Sequence, residues 1–218
     1  MNINIKKILE KKGSLAENEV KDLLRAYGIS TTNYFVVSKI QDLDNLKIKY
    51  PVALKLCSDK ILHKTEVGGV KLNINNIKEL KENFRIFMDK FPNEKFLVDQ
   101  MEQKSVEIII GLVRDPTFGL SIMVGIGGIY TELYEDVSFR IVPIEKYDAV
   151  EMVEEIKGKK LLEGFRNIKA NKKLVIDLLL KVSKIGEELI EHIDQMDLNP
   201  VFVYEDRICV VDAKLILK

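Results

Sequence analysis

Asn199 and Asp212 are the residues whose chemistry can be argued from position alone. Met196 to Tyr204 and Arg207 to Leu215 are two β-type runs separated only by Glu205-Asp206, which predicts a hairpin. Across a two-residue loop paired positions share a constant sum, so Asn199 falls opposite Asp212 and Asp197 opposite Lys214, all four on one face. An amide oxygen and a carboxylate pointing the same way suit Mg²⁺, which takes one or two protein oxygens and completes its shell with water and phosphate. A second reading stays open, an ordinary polar sheet end in which Asp197 and Lys214 form a cross-strand ion pair. Pro200 can introduce a bulge, and a one-residue slip would send the two metal-type groups to opposite faces.

A further group lies upstream. Pro51-Val-Ala-Leu-Lys55 is a strand ending in a lysine, followed by a polar loop that carries His63 and ends in Gly68-Gly69. A strand lysine can place a point charge on phosphate oxygens, and paired glycines let backbone approach a ligand closely. The alternative is a solvated edge lysine followed by a turn. His63, one of two histidines, sits where an imidazole is accessible, and a neutral ring nitrogen can accept a phosphoryl group and release it again. His192 reads instead as a partner for helix-end carbonyls. Glu107 opens the apolar run Glu-Ile-Ile-Ile-Gly, a placement that suits either the rim of a cleft or a plain strand edge. Gly125-Ile-Gly127-Gly128 could cradle an anion, but it lacks the lysine and hydroxyl residue of a P-loop.

The elements that must position these residues alternate between strand and helix. Ser14-Leu-Ala-Glu17 reads as a capping box for a helix over Val20 to Tyr27, stopped at Gly28. Strands are expected at Tyr34–Val37, Pro51–Leu56, Val70–Ile74, Phe96–Gln100, Val106–Val113, Leu120–Val124 and Phe139–Val142. Helices are expected near Asp42–Ile48, Ile77–Met88, Tyr147–Ile156 and Leu174–Ile193, with Lys157–Lys173 an exposed, mobile connection. The class is α+β.

Composition removes several functions. The 34 basic and 34 acidic residues among 218 cancel, and the lysines form no stripe, so no field favours nucleic acid or a membrane surface. The longest uncharged stretch, Phe118–Tyr130, is too short to cross a bilayer, and Met1–Lys12 has no export pattern. Cys57 and Cys209 lie far apart without metal-ligand neighbours, which predicts reduced thiols in a cytoplasm.

Taken in order, Pro-Val-Ala-Leu-Lys55, Leu62-His-Lys-Thr-Glu-Val-Gly-Gly-Val70, Glu107-Ile-Ile-Ile-Gly-Leu-Val-Arg-Asp-Pro116, Gly125-Ile-Gly-Gly-Ile-Tyr-Thr-Glu132, Asp136-Val-Ser-Phe-Arg140, Asp197-Leu-Asn-Pro200 and Val210-Val-Asp-Ala213 closely resemble the β subunit of ADP-forming acetyl-CoA synthetases. The resemblance implies an ATP-grasp fold, two α+β lobes holding a nucleotide between their sheets. It divides the chain into a smaller lobe, residues 30–100, and a larger one, residues 1–29 with 101–218. It implies ATP or ADP and Mg²⁺ as cofactors, and the reaction acyl-CoA + ADP + phosphate ⇌ carboxylic acid + CoA + ATP. The CoA-binding half would be a separate α subunit, in an α₂β₂ assembly, since these motifs fill the chain.

Carried over by motif, Lys55 contacts nucleotide phosphates, Glu107 the ribose or phosphate side, and Gln100 with Met101 the adenine through backbone groups. Gly68 and Gly69 belong to the nucleotide side, Asn199 and Asp212 hold Mg²⁺, and His63 carries phosphate from the α subunit to ADP. Glu132 and Arg140 match motif positions whose roles do not follow from the residues, although a guanidinium can grip two phosphate oxygens. Two alternatives remain, a stand-alone ATP-grasp carboxylate ligase and a non-catalytic ADP-sensing subunit. The first is disfavoured because no substrate domain precedes Ser14.

Overall fold

The computed structural model of the chain describes residues 8, 10–61, 63–128, 136–164 and 169–218. It divides into two contact-dense units, one of residues 14–19 and 32–103 and one of residues 1–13, 20–31 and 104–218.

The smaller unit is a four-stranded antiparallel sheet under one long helix. In chain order its strands are β2 (Tyr34–Val37), β3 (Val52–Cys57), β4 (Val70–Ile74) and β5 (Lys95–Gln100). They lie in the order β2-β5-β3-β4. Helix Ile77–Lys90 starts where the Asn76 side chain accepts the Glu79 N–H at 3.0 Å, satisfying one otherwise orphaned donor. The helix sets Leu80, Phe84 and Phe87 against Leu54, Leu56, Phe96 and Val98 of the sheet. Phe84 and Phe87 meet Phe96 edge to face, with centroids 5.3 and 5.8 Å apart. Each such fully buried side chain contributes roughly 1.5–3 kcal/mol. Every residue of β3 is buried. Leu54 and Leu56 belong to the helix-side core, so the alternation of a strand turns Lys55 to the other face.

The larger unit is built on an antiparallel sheet of β6 (Val106–Asp115), β7 (Gly119–Ile126), β8 (Val137–Ile141), β9 (Ile193–Val203), β10 (Ile208–Val210) and β11 (Ala213–Leu217). The order is β11-β9-β6-β7-β8, with β10 also on β9 and the two-residue strand Gly13–Ser14 (β1) beyond β11. Helices Lys146–Glu155 and Lys172–Glu188 cover one face. The approach is close enough that a Cβ on Gly186 would stand 3.2–3.3 Å from Leu120, Val142 and Leu112. Leu112 and Leu120 therefore define the helix side. Register then places Phe139, Met123, Gly111, Asp197 and Lys214 in one row on the opposite side.

Three expectations change. The helix predicted to begin at a Ser14 capping box spans Glu17–Ala26, and Ser14 lies in β1 instead. Ala16 is the residue at the turn, its N–H donating to Glu19 Oε2 at 3.2 Å, so the reach-back carboxylate is Glu19 and Glu17 is released for another use. The stop at Gly28 holds, at φ +69°, with Ile29 N–H donating to the Leu24 carbonyl at 3.0 Å. The helix expected over Asp42–Ile48 is a 3₁₀ segment at Ile40–Asn45, and the long helix ends at Glu188, not Ile193.

Candidate active site

The hairpin register is the one derived from spacing. Val203 pairs with Ile208, Leu198 with Ala213 and Asp197 with Lys214, one constant sum that holds as far as the register shift between Ile216 and Leu217. Between β10 and β11 the ladder is interrupted, and there Asn199 N–H donates to the Asp212 carbonyl at 3.2 Å. Asn199 is exposed and Asp212 half-buried. Asp197 has its carboxyl pushed above the usual range, first by burial and then by the Asp212 charge, with Lys214 opposing. Asp197 and Asp212 are both half-buried on this hairpin, so their like charges oppose one another with partial desolvation. Two carboxylates and an amide oxygen with one lysine form an anionic group that a hard divalent cation would neutralise. No cluster of three or more His, Cys, Asp or Glu ligands exists among the described residues. An amide oxygen and a carboxylate on one face are the kind of donor set that suits Mg²⁺, which takes one or two protein oxygens.

In the smaller unit Lys55 is 5% exposed, and its ammonium meets Glu17 Oε1 and Asp99 Oδ2, both at 2.8 Å. Lys64 pairs with the other oxygen of Glu17. Sequence reasoning gave Lys55 a ligand role without the two carboxylates that hold it. Glu17 lies 38 residues away, and its local pattern points only to a helix cap. Asp99 had a weak signal, a charge inside the apolar run Phe96-Leu-Val-Asp99.

His63 is exposed, its Nδ1 3.2 Å from Glu66 Oε1. The loop closes on itself, with Val67 N–H on the His63 carbonyl and Gly69 N–H on the Lys64 carbonyl at 2.6 Å. Gly69 has no room for a side chain, since a Cβ would stand 3.0 Å from both Leu56 Cβ and the Lys64 oxygen, and Gly68 holds φ +64°. The glycines shape the turn that presents His63.

Gln100 N–H donates to Asn33 O at 2.7 Å and Met101 N–H to Pro51 O at 3.0 Å. These two donors are engaged within the unit. Glu107 is half-buried on β6, its carbonyl accepting from Gly127 N–H at 2.7 Å. A Cβ on Gly127 would fall 3.1 Å from the Glu107 backbone, so the glycine pair is what lets that segment lie on Glu107.

Arg140 departs from its expected surroundings. It pairs with Ile122, in the helix-side row, and its guanidinium bonds Glu155 Oε1 at 2.6 Å and Oε2 at 3.1 Å. That hydrogen bond is the main cause holding Glu155 below the ordinary carboxylate range. Arg140 therefore ties β8 to a helix, on the sheet face away from Asp197. Glu132 lies outside the described residues.

A family model described as an ATP-grasp domain matches residues 6–217. The β subunit of ADP-forming acetate–CoA ligase I from Pyrococcus furiosus is 40% identical over 213 residues, covering 93% of this chain and 91% of its own length. ADP-forming acetate–CoA ligase II from Archaeoglobus fulgidus is 42% identical over 205 residues, which is 93% of this chain but 30% of that longer polypeptide. A solved structure of acetyl-coenzyme A synthetase 1 from Ca. Korarchaeum cryptofilum is also similar, with a TM-score of 0.82 and 39% identity over 98% of this chain and 97% of that one. It is described as a complex with coenzyme A and Mg-AMPPCP, its phosphohistidine segment pointing towards the nucleotide binding site. The chain belongs to the ATP-grasp family, in the branch of the ADP-forming acetate–CoA ligases.

Proposed function

We propose that this chain is the nucleotide-binding β subunit of an ADP-forming acyl-CoA synthetase, an acid–thiol ligase of the cytoplasm that acts with a separate CoA-binding α subunit in an α₂β₂ assembly. The observation that carries the reading is the 40% identity across nearly the full length of a separate β subunit. In support, the chain presents an accessible imidazole and, in its larger unit, a hard-oxygen pair at a gap in the ladder.

Asn199 and Asp212 are the residues that would hold Mg²⁺, with Asp197 adding to the local negative charge. The ion, when bound with nucleotide, would offset phosphate charge, which phosphoryl transfer needs more than covalent help. Lys55 would add a fixed positive charge for the phosphates, oriented by Glu17 and Asp99. Glu107 would meet the ribose or phosphate side. Gln100 and Met101 would present carbonyl oxygens to the adenine, since their N–H groups are used. Gly68, Gly69 and the His63 turn form the carrier. An imidazole nitrogen takes the phosphoryl group as its bond to the donor breaks, and the P–N bond then breaks as a terminal ADP oxygen bonds phosphorus. Arg140 has no part in this reading.

In the complex with the α subunit, His63→Ala is expected to abolish acyl-CoA-dependent ATP formation while ADP affinity of the chain stays within a few-fold. Asp212→Asn is expected to weaken ADP binding only when magnesium is present. Full turnover by His63→Ala would refute the carrier, and an unchanged magnesium requirement would refute the metal pair.

A further inference from the structure

We propose that Asp136 is a positioning residue for Glu107: by clasping the turn behind the end of β7 it seats the Gly127–Gly128 segment that lies on Glu107. The inference rests on the reading above that Glu107 meets the ribose or phosphate side of the nucleotide.

The residues concerned all belong to the larger unit. Asp136, 8% exposed, stands just before β8, and its two carboxylate oxygens accept the N–H groups of Lys157 at 2.7 Å and Gly158 at 2.8 Å. Those donors open the 3₁₀ turn Lys157–Leu161, and the first N–H groups of such a turn have no acceptor within it. A carboxylate taking backbone N–H groups makes the stronger, charge-assisted kind of hydrogen bond. Because Asp136 lies 21 and 22 residues before its partners, these bonds fix the turn to the start of β8 and not only to itself.

The clasp sets how deep the turn sits. A Cβ on Gly158 would stand 2.6 Å from Ile126 Cγ1 and 3.2 Å from Asp136 Oδ2, so the backbone of the turn rests directly on Ile126, the last residue of β7. Ile126 is 3% exposed and, four residues on from Ile122, faces the helix side. The next residue is Gly127, whose N–H donates to the Glu107 carbonyl at 2.7 Å and whose Cβ, were there one, would meet Glu107 C and Cβ at 3.1 Å. Gly128, at φ +74°, lies equally near, since a Cβ there would be 3.4 Å from Glu107 Oε2. Ile108 pairs with Ile126, so alternation turns the Glu107 side chain to the opposite face, the one that carries Asp197. The contacts thus run through the end of the sheet, from Asp136 behind it to Glu107 in front. A binding side chain holds its geometry only as well as the groups packed against it hold theirs, and here those groups are Gly127 and Gly128, supported through Ile126.

The test measures ADP affinity of the chain by calorimetry with magnesium present, and KM for ADP and kcat in the complex with the α subunit. Asp136→Asn keeps the shape but turns an amide NH₂ toward one of the two backbone N–H groups. It is expected to weaken ADP binding by about tenfold, the scale of one hydrogen bond to a charged group, and to raise KM for ADP by as much while kcat stays within about threefold. Glu107→Ala is expected to lose a similar amount, and the variant carrying both changes no more than Glu107→Ala alone, because both act on one interaction. Wild-type ADP affinity in Asp136→Asn, whatever its Tm, would overturn the proposal and leave a clasp that only stabilises the fold. Losses that multiply in the double variant would overturn it as well, since Asp136 would then act elsewhere than through Glu107. Should Asp136→Asn fail to fold, Gly158→Ala presses on Ile126 from the same side and is judged by the same affinity and the same comparison with Glu107→Ala. Glu107→Ala also separates the two ideas: wild-type ADP affinity there sinks the nucleotide role of Glu107 itself, whereas weakened binding there beside an unaffected Asp136→Asn sinks only the seat.

Discussion

Among single residues, Cys57 has the plainest chemistry set by its surroundings. It is buried on β3, its thiol donating to Asn18 Oδ1 at 3.0 Å, and burial pushes its pKa up to about 11 from 9.0. The native state then keeps a proton that the unfolded chain gives up. Stability from this group is complete below about pH 9 and is lost as pH rises through about 11. At pH 8 the native thiol carries about a hundredfold less thiolate than an ordinary cysteine, so iodoacetamide labelling of Cys57 is expected to be slow until the protein is unfolded. Rapid labelling at pH 8 in the folded state would contradict the burial. Lys55, on the same strand and face, is buried too, but there two carboxylates meet its ammonium, each at 2.8 Å.

Elements were legible where local pattern and tertiary role agree. β2 and β4 match their expected residues at both ends, because short apolar runs between turn residues leave little choice. The hairpin register followed from loop length alone. What failed was set by distant partners. The Ile40–Asn45 turn is drawn in by Asp42, whose carboxylate accepts the Ser38 and Lys39 N–H groups at 2.9 and 3.1 Å and is held below its ordinary range chiefly by the Ser38 bond. The Lys172–Glu188 helix stops early because Ile193, apolar like the helix residues before it, is taken up by β9. The connection expected over Lys157–Lys173 opens with a 3₁₀ turn, Lys157–Leu161, whose first N–H groups are held by Asp136 at 2.7 and 2.8 Å, while residues 165–168 lie outside the described residues. In the candidate site, Asn199 and Asp212 could be paired from spacing, but the Glu17–Lys55 bridge could not, since nothing local marks it. The Asp136 clasp yields a prediction. A Cβ on Gly158 would stand 2.6 Å from Ile126 Cγ1, so Gly158→Ala is expected to cost about 1–3 kcal/mol. Thermal melting should show it as a fall of roughly 2–4 °C per kcal/mol, and an unchanged Tm would mean that the turn yields without cost.

For the whole molecule, the balance of 34 positive and 34 negative residues leaves no long-range field to gather a polyanion. No helix among the described residues is long and apolar enough to cross a membrane. The chain covers 91% of a separate β subunit and about a third of a longer relative, so its activity is expected to depend on a second polypeptide. Acyl-CoA-dependent ATP formation should be absent from the purified chain and restored on mixing with the α subunit. Turnover by the chain alone would favour a self-sufficient ligase. ADP binding without turnover in the mixture would favour a sensor.

The tip of the β9–β10 hairpin has a consequence for how this gene can vary. Glu205-Asp206 is the whole connection, closed by Tyr204 N–H on the Arg207 carbonyl at 2.9 Å and by the Arg207 guanidinium 4.0 Å from the Tyr204 ring. Either residue could be exchanged for another polar one with little effect. Losing one codon there is a different event: too few atoms would remain to turn the chain, the returning strand would shift by a single step, and Asp212 would be carried to the helix side. Missense changes at the tip should pass unnoticed where an in-frame deletion silences the protein.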